Sequence, residues 1–190
     1  MVKVLLKEIA NIKAGHPFRG AIKEDSEGNG FVIQVKNINE DSQIDWDNLV
    51  KTQIAGRKKP DWLNKGDIIF ISRGSRITAS SIEFPLKLAV CSQHFFIINV
   101  TSEQVDPEFL AWQLNQSVAQ NYLRKSAEGT SQVSIRRPIL EETPLTFPDL
   151  KTQKKVIAVV KCALKEKQVH LKLIENRKRQ LAAITQNLLK

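Results

Sequence analysis

The chain has 190 residues, 42% of them hydrophobic, and its 29 Lys and Arg against 20 Asp and Glu give a formal net charge of +9. This composition supports one globular domain with an appendage. The longest purely apolar run is only residues 156–160, so we expect neither a membrane span nor a secretory signal. The two cysteines, Cys91 and Cys162, have neither metal-binding nor redox spacing, so we expect a reduced, cytoplasmic protein.

Strands are predicted along the first part of the chain where apolar residues follow turn residues such as Gly28–Asn29–Gly30. They are expected at residues 2–12, 31–35, 68–71, 88–91, 95–100 and 144–148. A polar loop with two guanidinium groups, residues 72–76, follows the most apolar of these strands.

One helix is predicted between the strands. Asp106 before Pro107 indicates its start, because the carboxylate caps free amides and proline fits the first turn. Apolar residues at every fourth position from Leu110 extend this helix to about Leu123. Helices and strands do not alternate regularly, so residues 1–150 are predicted to form an α+β domain with a mixed sheet.

The C-terminal residues 151–190 predict one long helix, since no Gly or Pro follows Pro148. Steps of three and four residues visit ten positions, of which seven are apolar and form the seam of a coiled coil. The seam residues are Ile157, Val160, Leu164, Leu171, Ile174, Leu181 and Leu188. Lys167 and Lys178 interrupt the seam, and such polar positions fix register or strand number. We predict that the seam pairs with another helix; the alternative is an ordinary core helix folded onto its own domain.

The net positive charge lies on this helix. Residues 1–150 carry 18 basic and 18 acidic side chains, whereas residues 151–190 carry 11 and 2. Within the neutral part, residues 51–87 are the most basic and are the expected electrostatic contact if this part binds nucleic acid. The basic helix is open to two interpretations, a solvated surface and a contact for phosphate or an acidic partner.

Short motifs occur in a fixed order over nearly the whole chain. They are the Gly15 turn with Phe18 and Arg19, residues 34–38, residues 66–69 leading into 72–74, residues 106–110, residues 127–132, and Pro148, Leu150 and Gln153. In this order they resemble the specificity subunit of type I restriction-modification systems. Two features depart from that family: Thr152 stands where Glu is usual, and the chain has one recognition domain and one helix instead of two of each.

The resemblance implies that residues 1–150 are a target recognition domain for double-stranded DNA, and that residues 151–190 are a spacer beside which methyltransferase subunits dock. A restriction subunit belongs to the complete complex of such systems. The resemblance also implies a prokaryotic cytoplasm, no cofactor on this chain, and S-adenosylmethionine on the partner methyltransferase. A half-length chain would rebuild the two-helix spacer as a homodimer, which would read an interrupted palindrome.

Base reading requires donors on loops that a rigid sheet holds. Arg binds guanine edges and Gln binds adenine, whereas Lys and Ser more often contact phosphates. The candidate DNA-binding residues are Arg19, Arg57, Lys58, Lys59, Arg73, Ser75, Arg76, Thr130, Ser131, Gln132, Arg136 and Arg137. For each of them the alternative is a solvated surface residue.

No catalytic motif is present in the sequence. The three histidines are scattered, and there is no zinc-binding cluster, Gly-rich phosphate loop or nucleophile elbow. We therefore expect a non-enzymatic component and no metal site. A second hypothesis is a coiled-coil dimeric adaptor whose neutral head binds another protein.

Overall fold

A computed structural model describes residues 2–56, 59–127 and 133–189. Its strands are β1 (Val2–Leu5), β2 (Ala10–Ala14), β3 (Gly30–Ile33), β4 (Val50–Thr52), β5 (Asp67–Ile71), β6 (Arg73–Gly74), β7 (Ala79–Ser81), β8 (Ala89–Cys91), β9 (Phe95–Val100), β10 (Val133–Ser134) and β11 (Pro144–Phe147). Its helices are α1 (Leu6–Ile9), α2 (Pro107–Leu114), α3 (Ser117–Lys125), α4 (Arg137–Glu141) and α5 (Leu150–Leu188), with a short 3-10 turn at Val35–Asn37.

The head, residues 1–149, is built on a four-stranded antiparallel sheet in the order β2-β9-β5-β7. A three-stranded sheet in the order β4-β3-β8 packs beside it, and its β3-β8 pair is parallel. The short ladders β1-β11 and β6-β10 complete the head. The predicted α+β class with mixed strands is confirmed.

Strand β5 is buried on both faces, which explains its uninterrupted apolar sequence. Ile68 and Phe70 lie in the core cluster under the helices, whereas Ile69 and Ile71 lie in a second cluster with Ile33 and Phe95. One face of β5 therefore packs against the helices and the other face against the second sheet.

The predicted helix from Asp106 starts as expected but does not continue to Leu123. The Asp106 carboxylate accepts hydrogen bonds from the N–H groups of Glu108 and Phe109. The helix is interrupted after Leu114, because the Asn115 side chain bonds to β7. Its amide donates to the Ala79 carbonyl at 2.8 Å, and its oxygen accepts from the Ala79 N–H at 2.8 Å. Asn115 thus pairs with the edge strand as another strand would.

The long C-terminal helix is confirmed and begins at Leu150, one residue before the predicted boundary. Asp149 caps it by accepting from the Thr152 N–H and hydroxyl at 3.0 and 2.8 Å. Among the described residues, no helix combines the length and the apolar character that a membrane crossing requires.

Candidate nucleic-acid interface and the attached helix

The end of β5 brings together two loops that are far apart in sequence. Ser72 donates to the His94 carbonyl through its backbone N–H at 2.8 Å and through its hydroxyl at 2.9 Å. The Ser72 carbonyl in turn accepts from the Ile135 N–H at 2.8 Å. Arg73 pairs with Ser134 in the β6-β10 ladder, so the loop before α4 lies beside Arg73.

The Gly15 turn reaches the same end of the sheet. A Cβ at Gly15 would lie 2.2 Å from the Ser92 carbonyl oxygen, so only glycine permits this close approach. The Phe18 N–H donates to the Gln93 side chain at 2.8 Å. This bond places the exposed Arg19 beside the β8-β9 turn.

Three predicted DNA-binding residues therefore flank the turn at residues 92–94. Arg19, Arg73 and Arg136 are exposed, and each is adjacent in sequence to a residue hydrogen-bonded within this group of loops. We call these three arginines the basic edge. Gln93 and His94 are exposed in the same turn, and the sequence interpretation did not include them. The sequence feature that could have identified them is a pair of polar residues between two apolar strands.

The other described candidates have different surroundings. Arg76 is half-buried and donates to the Ile38 carbonyl, so it holds the loop that follows the 3-10 turn. Arg137 donates to Glu141 at 2.7 Å within α4. Lys59 and Ser75 are exposed. The candidates outside the described residues are Arg57, Lys58, Thr130, Ser131 and Gln132, and their roles stay predictions.

The first turns of α5 are attached to the head by a buried amide. Gln153 is fully buried, and its oxygen accepts from the Asp106 N–H at 2.9 Å. Its amide donates to the carbonyls of Gln104 and Pro148 at 2.9 and 2.8 Å. One side chain therefore joins the starts of α2 and α5, which gives a physical reason for a glutamine in this motif.

Ion pairs continue the attachment along α5. The Lys161 ammonium lies 3.0 Å from Glu83 and 2.7 Å from Glu108. Burial disfavours the charged form of Lys161, yet these two carboxylates outweigh it and raise the pKa of Lys161 above its ordinary value. Six residues further along the helix, the Lys167 ammonium lies 2.6 Å from the Asp41 carboxylate.

The predicted seam is therefore used in two ways. Ile157 belongs to the core of the head and is 8% exposed, whereas Leu171 is 55% exposed. Val160 and Leu164 are half-buried and line an open groove of about 650 Å³ between α5 and the head. The exposed seam residues beyond the groove are Leu171, Ile174, Leu181 and Leu188.

A second apolar stripe occupies the face of α5 opposite the seam. It consists of Val159, Cys162, Val169 and Leu173, which follow one another at helical spacing. All four are exposed. This stripe overlaps both the attached turns and the turns beyond the head.

The described part of the chain holds no cluster of metal-binding side chains. Cys91 is buried, and burial raises the pKa of its thiol, so it is an unreactive core residue. The basic edge consequently offers hydrogen-bond donors and positive charge, the chemistry that binds phosphates and base edges.

A family model for the type I restriction modification DNA specificity domain matches residues 1–176. Comparison with curated proteins gives no match. Among solved structures, the S subunit of a type I restriction-modification system from M. genitalium is similar, with 18% identity and a TM-score of 0.56 over 87% of this chain and 39% of that chain.

Two further structures are similar to this chain. The HsdS subunit from Thermoanaerobacter tengcongensis has 19% identity and a TM-score of 0.65 over 88% of this chain and 43% of that one. A chain from a study of assembly and conformational transition of the type I R-M system has 18% identity and a TM-score of 0.68 over 100% of this chain and 48% of its own. At these identities the likeness shows the fold, and this chain spans less than half the length of each structure.

Proposed function

The chain belongs to the type I restriction modification DNA specificity domain family, and from this premise we propose that it selects the DNA sequence on which partner methyltransferase and restriction subunits act. The chain itself is not catalytic in this proposal. S-adenosylmethionine is bound by the methyltransferase, and the recognition domain supplies the sequence contacts.

The observation that carries the proposal is the basic edge. Its arginines lie on three loops that hydrogen-bond to one another at the end of the central sheet. A guanidinium on a loop held in this way can meet a guanine edge in one fixed orientation, which sequence reading requires. Arg73 is the strongest candidate because the two-residue β6-β10 ladder fixes its backbone.

The exposed part of α5 supports a homodimer. From Val169 to Leu188 the helix extends beyond its last described side-chain contacts with the head, a distance of roughly 30 Å. Its seam residues there are more than half exposed. Two copies packed antiparallel would cover this seam and place one head at each end, so that equivalent heads read two half-sites of an interrupted palindrome.

The stripe of Val159, Cys162, Val169 and Leu173 supports methyltransferase docking. It faces away from the seam, so a homodimer would leave it exposed on both helices. A row of exposed apolar side chains along a helix is suited to another protein surface. We assign this stripe to the methyltransferase subunit.

The test combines site mapping with binding. Methylation mapping in cells that contain this chain and a cognate methyltransferase should give one bipartite, two-fold symmetric sequence. When that duplex is titrated with the Arg73→Ala variant, the binding free energy should be weaker than that of the wild type by about 1 to 3 kcal/mol. The loss on a scrambled duplex should be smaller. Lys59→Ala is the matched control, because the loss of a phosphate contact should weaken binding to both duplexes alike.

Three results would count against the proposal. An asymmetric contiguous site would remove the symmetric dimer from it. Equal losses for Arg73→Ala on cognate and scrambled DNA would remove the base-reading role of Arg73. An affinity for DNA that does not decrease between low and moderate salt would favour the protein-binding adaptor instead.

A further inference from the structure

The groove between α5 and the head has a charge pattern that identifies its occupant. Carboxylates of Glu40, Asp41, Glu83 and Glu108 line it, and in the described lining Lys161 is the single ammonium. Half-exposed or exposed apolar side chains, Trp46, Phe84 and Leu86, lie among these charges. The groove therefore suits a segment that is apolar on one face and basic elsewhere.

The far end of α5 is such a segment. Leu181, Ile184 and Leu188 are exposed there, and Arg177, Lys178 and Arg179 give the same turns a basic character. The end of a straight helix of this length does not reach the groove beside its own start. An antiparallel second copy, in contrast, brings its helix end to this chain's head.

The positions of the apolar and lysine residues on the seam favour one antiparallel register. If each position i faces position 345 minus i of the partner, the apolar layers are Leu164 with Leu181 and Leu171 with Ile174. Val160 then faces Thr185, and Lys167 faces Lys178. A shift by one heptad in either direction would place each of these lysines against an apolar or threonine side chain instead. Grouping the polar residues in shared layers is the usual way that a coiled coil specifies its register.

The layer of Lys167 with Lys178 places like charges together and needs a counterion. Asp41 is positioned to provide it, since its carboxylate lies 2.6 Å from Lys167 on the seam. The neighbouring Gln43 and Gln168 side chains are also in contact, at 3.1 Å, so the loop at residues 39–44 follows the helix at this level.

We infer that the groove holds the C-terminal turns of the α5 helix of a second copy, and that Asp41 binds Lys167 of its own chain together with Lys178 of the partner. The head is then part of the dimer interface and determines the register of the helices. This inference rests on the homodimer of the proposed function and adds to it the surface and the register.

Disulfide trapping tests the register. In a Cys162→Ser background, the double variant Leu164→Cys, Leu181→Cys should oxidise to a covalent dimer, because these positions face each other in the inferred register. Leu164→Cys with Ile174→Cys and Leu164→Cys with Leu188→Cys are the matched controls for shifts by one heptad. Preferential crosslinking of either control pair would overturn the inference, although the homodimer itself would stand.

A charge exchange tests Asp41. Asp41→Lys should raise the dimer dissociation constant by roughly tenfold, because three ammonium groups then meet in one layer. Adding Lys178→Asp should restore most of the loss, and adding the off-seam Lys172→Asp should not. Within one chain, residue 178 lies roughly 16 Å along the helix from residue 167, so the rescue can act only between copies.

The outcomes separate the two levels of the proposal. A dimer that forms normally in Asp41→Lys, or a rescue by Lys172→Asp equal to that by Lys178→Asp, would overturn the role of Asp41. A wild-type chain that sediments as a monomer at high concentration would instead reject the homodimer of the proposed function.

Discussion

The two parts of α5 share one heptad pattern but have different surroundings. In the attached part, up to Gln168, seam residues meet the core, the groove and acidic loops of the head. In the free part, from Val169 onward, equivalent seam residues such as Leu171 and Leu181 are more than half exposed. A heptad pattern therefore identifies which helix face is apolar, while the tertiary fold determines what covers that face.

The difference has a functional consequence. The buried Gln153 and the ion pairs of Lys161 lie in the attached part, and they fix the direction in which α5 leaves the head. The free part offers the surface for pairing in the proposed homodimer. A spacer that positions two recognition domains needs both properties, since a flexible junction would not hold half-sites at a constant separation.

The largest effect on this contrast is expected from Gln153→Leu. Leucine would remove three hydrogen bonds, one from the Asp106 N–H and two to carbonyls, so the free energy of unfolding should decrease by about 3 kcal/mol. Urea denaturation of the head, followed by tryptophan fluorescence, measures this loss. Gln180→Leu, in the exposed free part, is the matched control and should change the stability by less than about 0.5 kcal/mol. Equal effects of the two substitutions would contradict the distinction between the parts.

The next effect is on association. Leu171→Asp places a carboxylate in the central apolar layer of the proposed dimer, and the dimer dissociation constant should rise about 100-fold, or roughly 3 kcal/mol. Sedimentation equilibrium measures the constant. At a concentration at which both proteins are monomeric, the unfolding midpoint of the head should be the same in the variant and the wild type. Lys172→Asp places the same carboxylate one residue away, off the seam, and should leave association nearly intact. Dissociation by Lys172→Asp alone would show that another face of α5 forms the contact.

Much of this contrast could be predicted from the sequence because helix signals are local. The Asp106–Pro107 start, the length of the C-terminal helix and its apolar seam all depend on residues close in sequence. The break at Asn115 could not be predicted, because its cause is a pair of hydrogen bonds to Ala79 on a distant strand. Likewise, no local feature distinguishes Ile157, which is buried in the core, from the exposed Leu171.

The candidate DNA site shows the same limit. Arg19, Arg73 and Arg136 were selected because they are basic residues in polar loops, and this criterion equally selected Arg76 and Arg137. The structure shows contacts of two of these candidates that the sequence does not reveal: Arg76 binds the Ile38 carbonyl, and Arg137 binds Glu141. The position of Arg19, Arg73 and Arg136 beside the exposed turn at residues 92–94 depends on pairing between strands that are far apart in sequence.

A smaller effect is expected from the ion pairs of the attached part. Lys161→Met keeps the apolar stem but removes the partner of Glu83 and Glu108, and the free energy of unfolding should decrease by about 0.5 to 1 kcal/mol because these groups are partly exposed. The loss should shrink at high salt. Lys165→Met, at an exposed position of the same helix, is the control. A loss that is insensitive to salt would indicate packing of the stem and not the charge.

The smallest effect concerns the cap at which the attached part begins. The Thr152 hydroxyl, and then its N–H, bind the Asp149 carboxylate and lower its pKa below the ordinary value of 3.8. The stabilising contribution is therefore present above pH 3.8 and is lost as the pH falls through the lower pKa of the folded state. Asp149→Ala should reduce the urea midpoint slightly at pH 7, and the difference from the wild type should shrink below pH 3.8. Asp47→Ala, which removes an exposed carboxylate outside the helix, is the control. A difference between the wild type and Asp149→Ala that stays constant across this pH range would show that the cap acts without its charge.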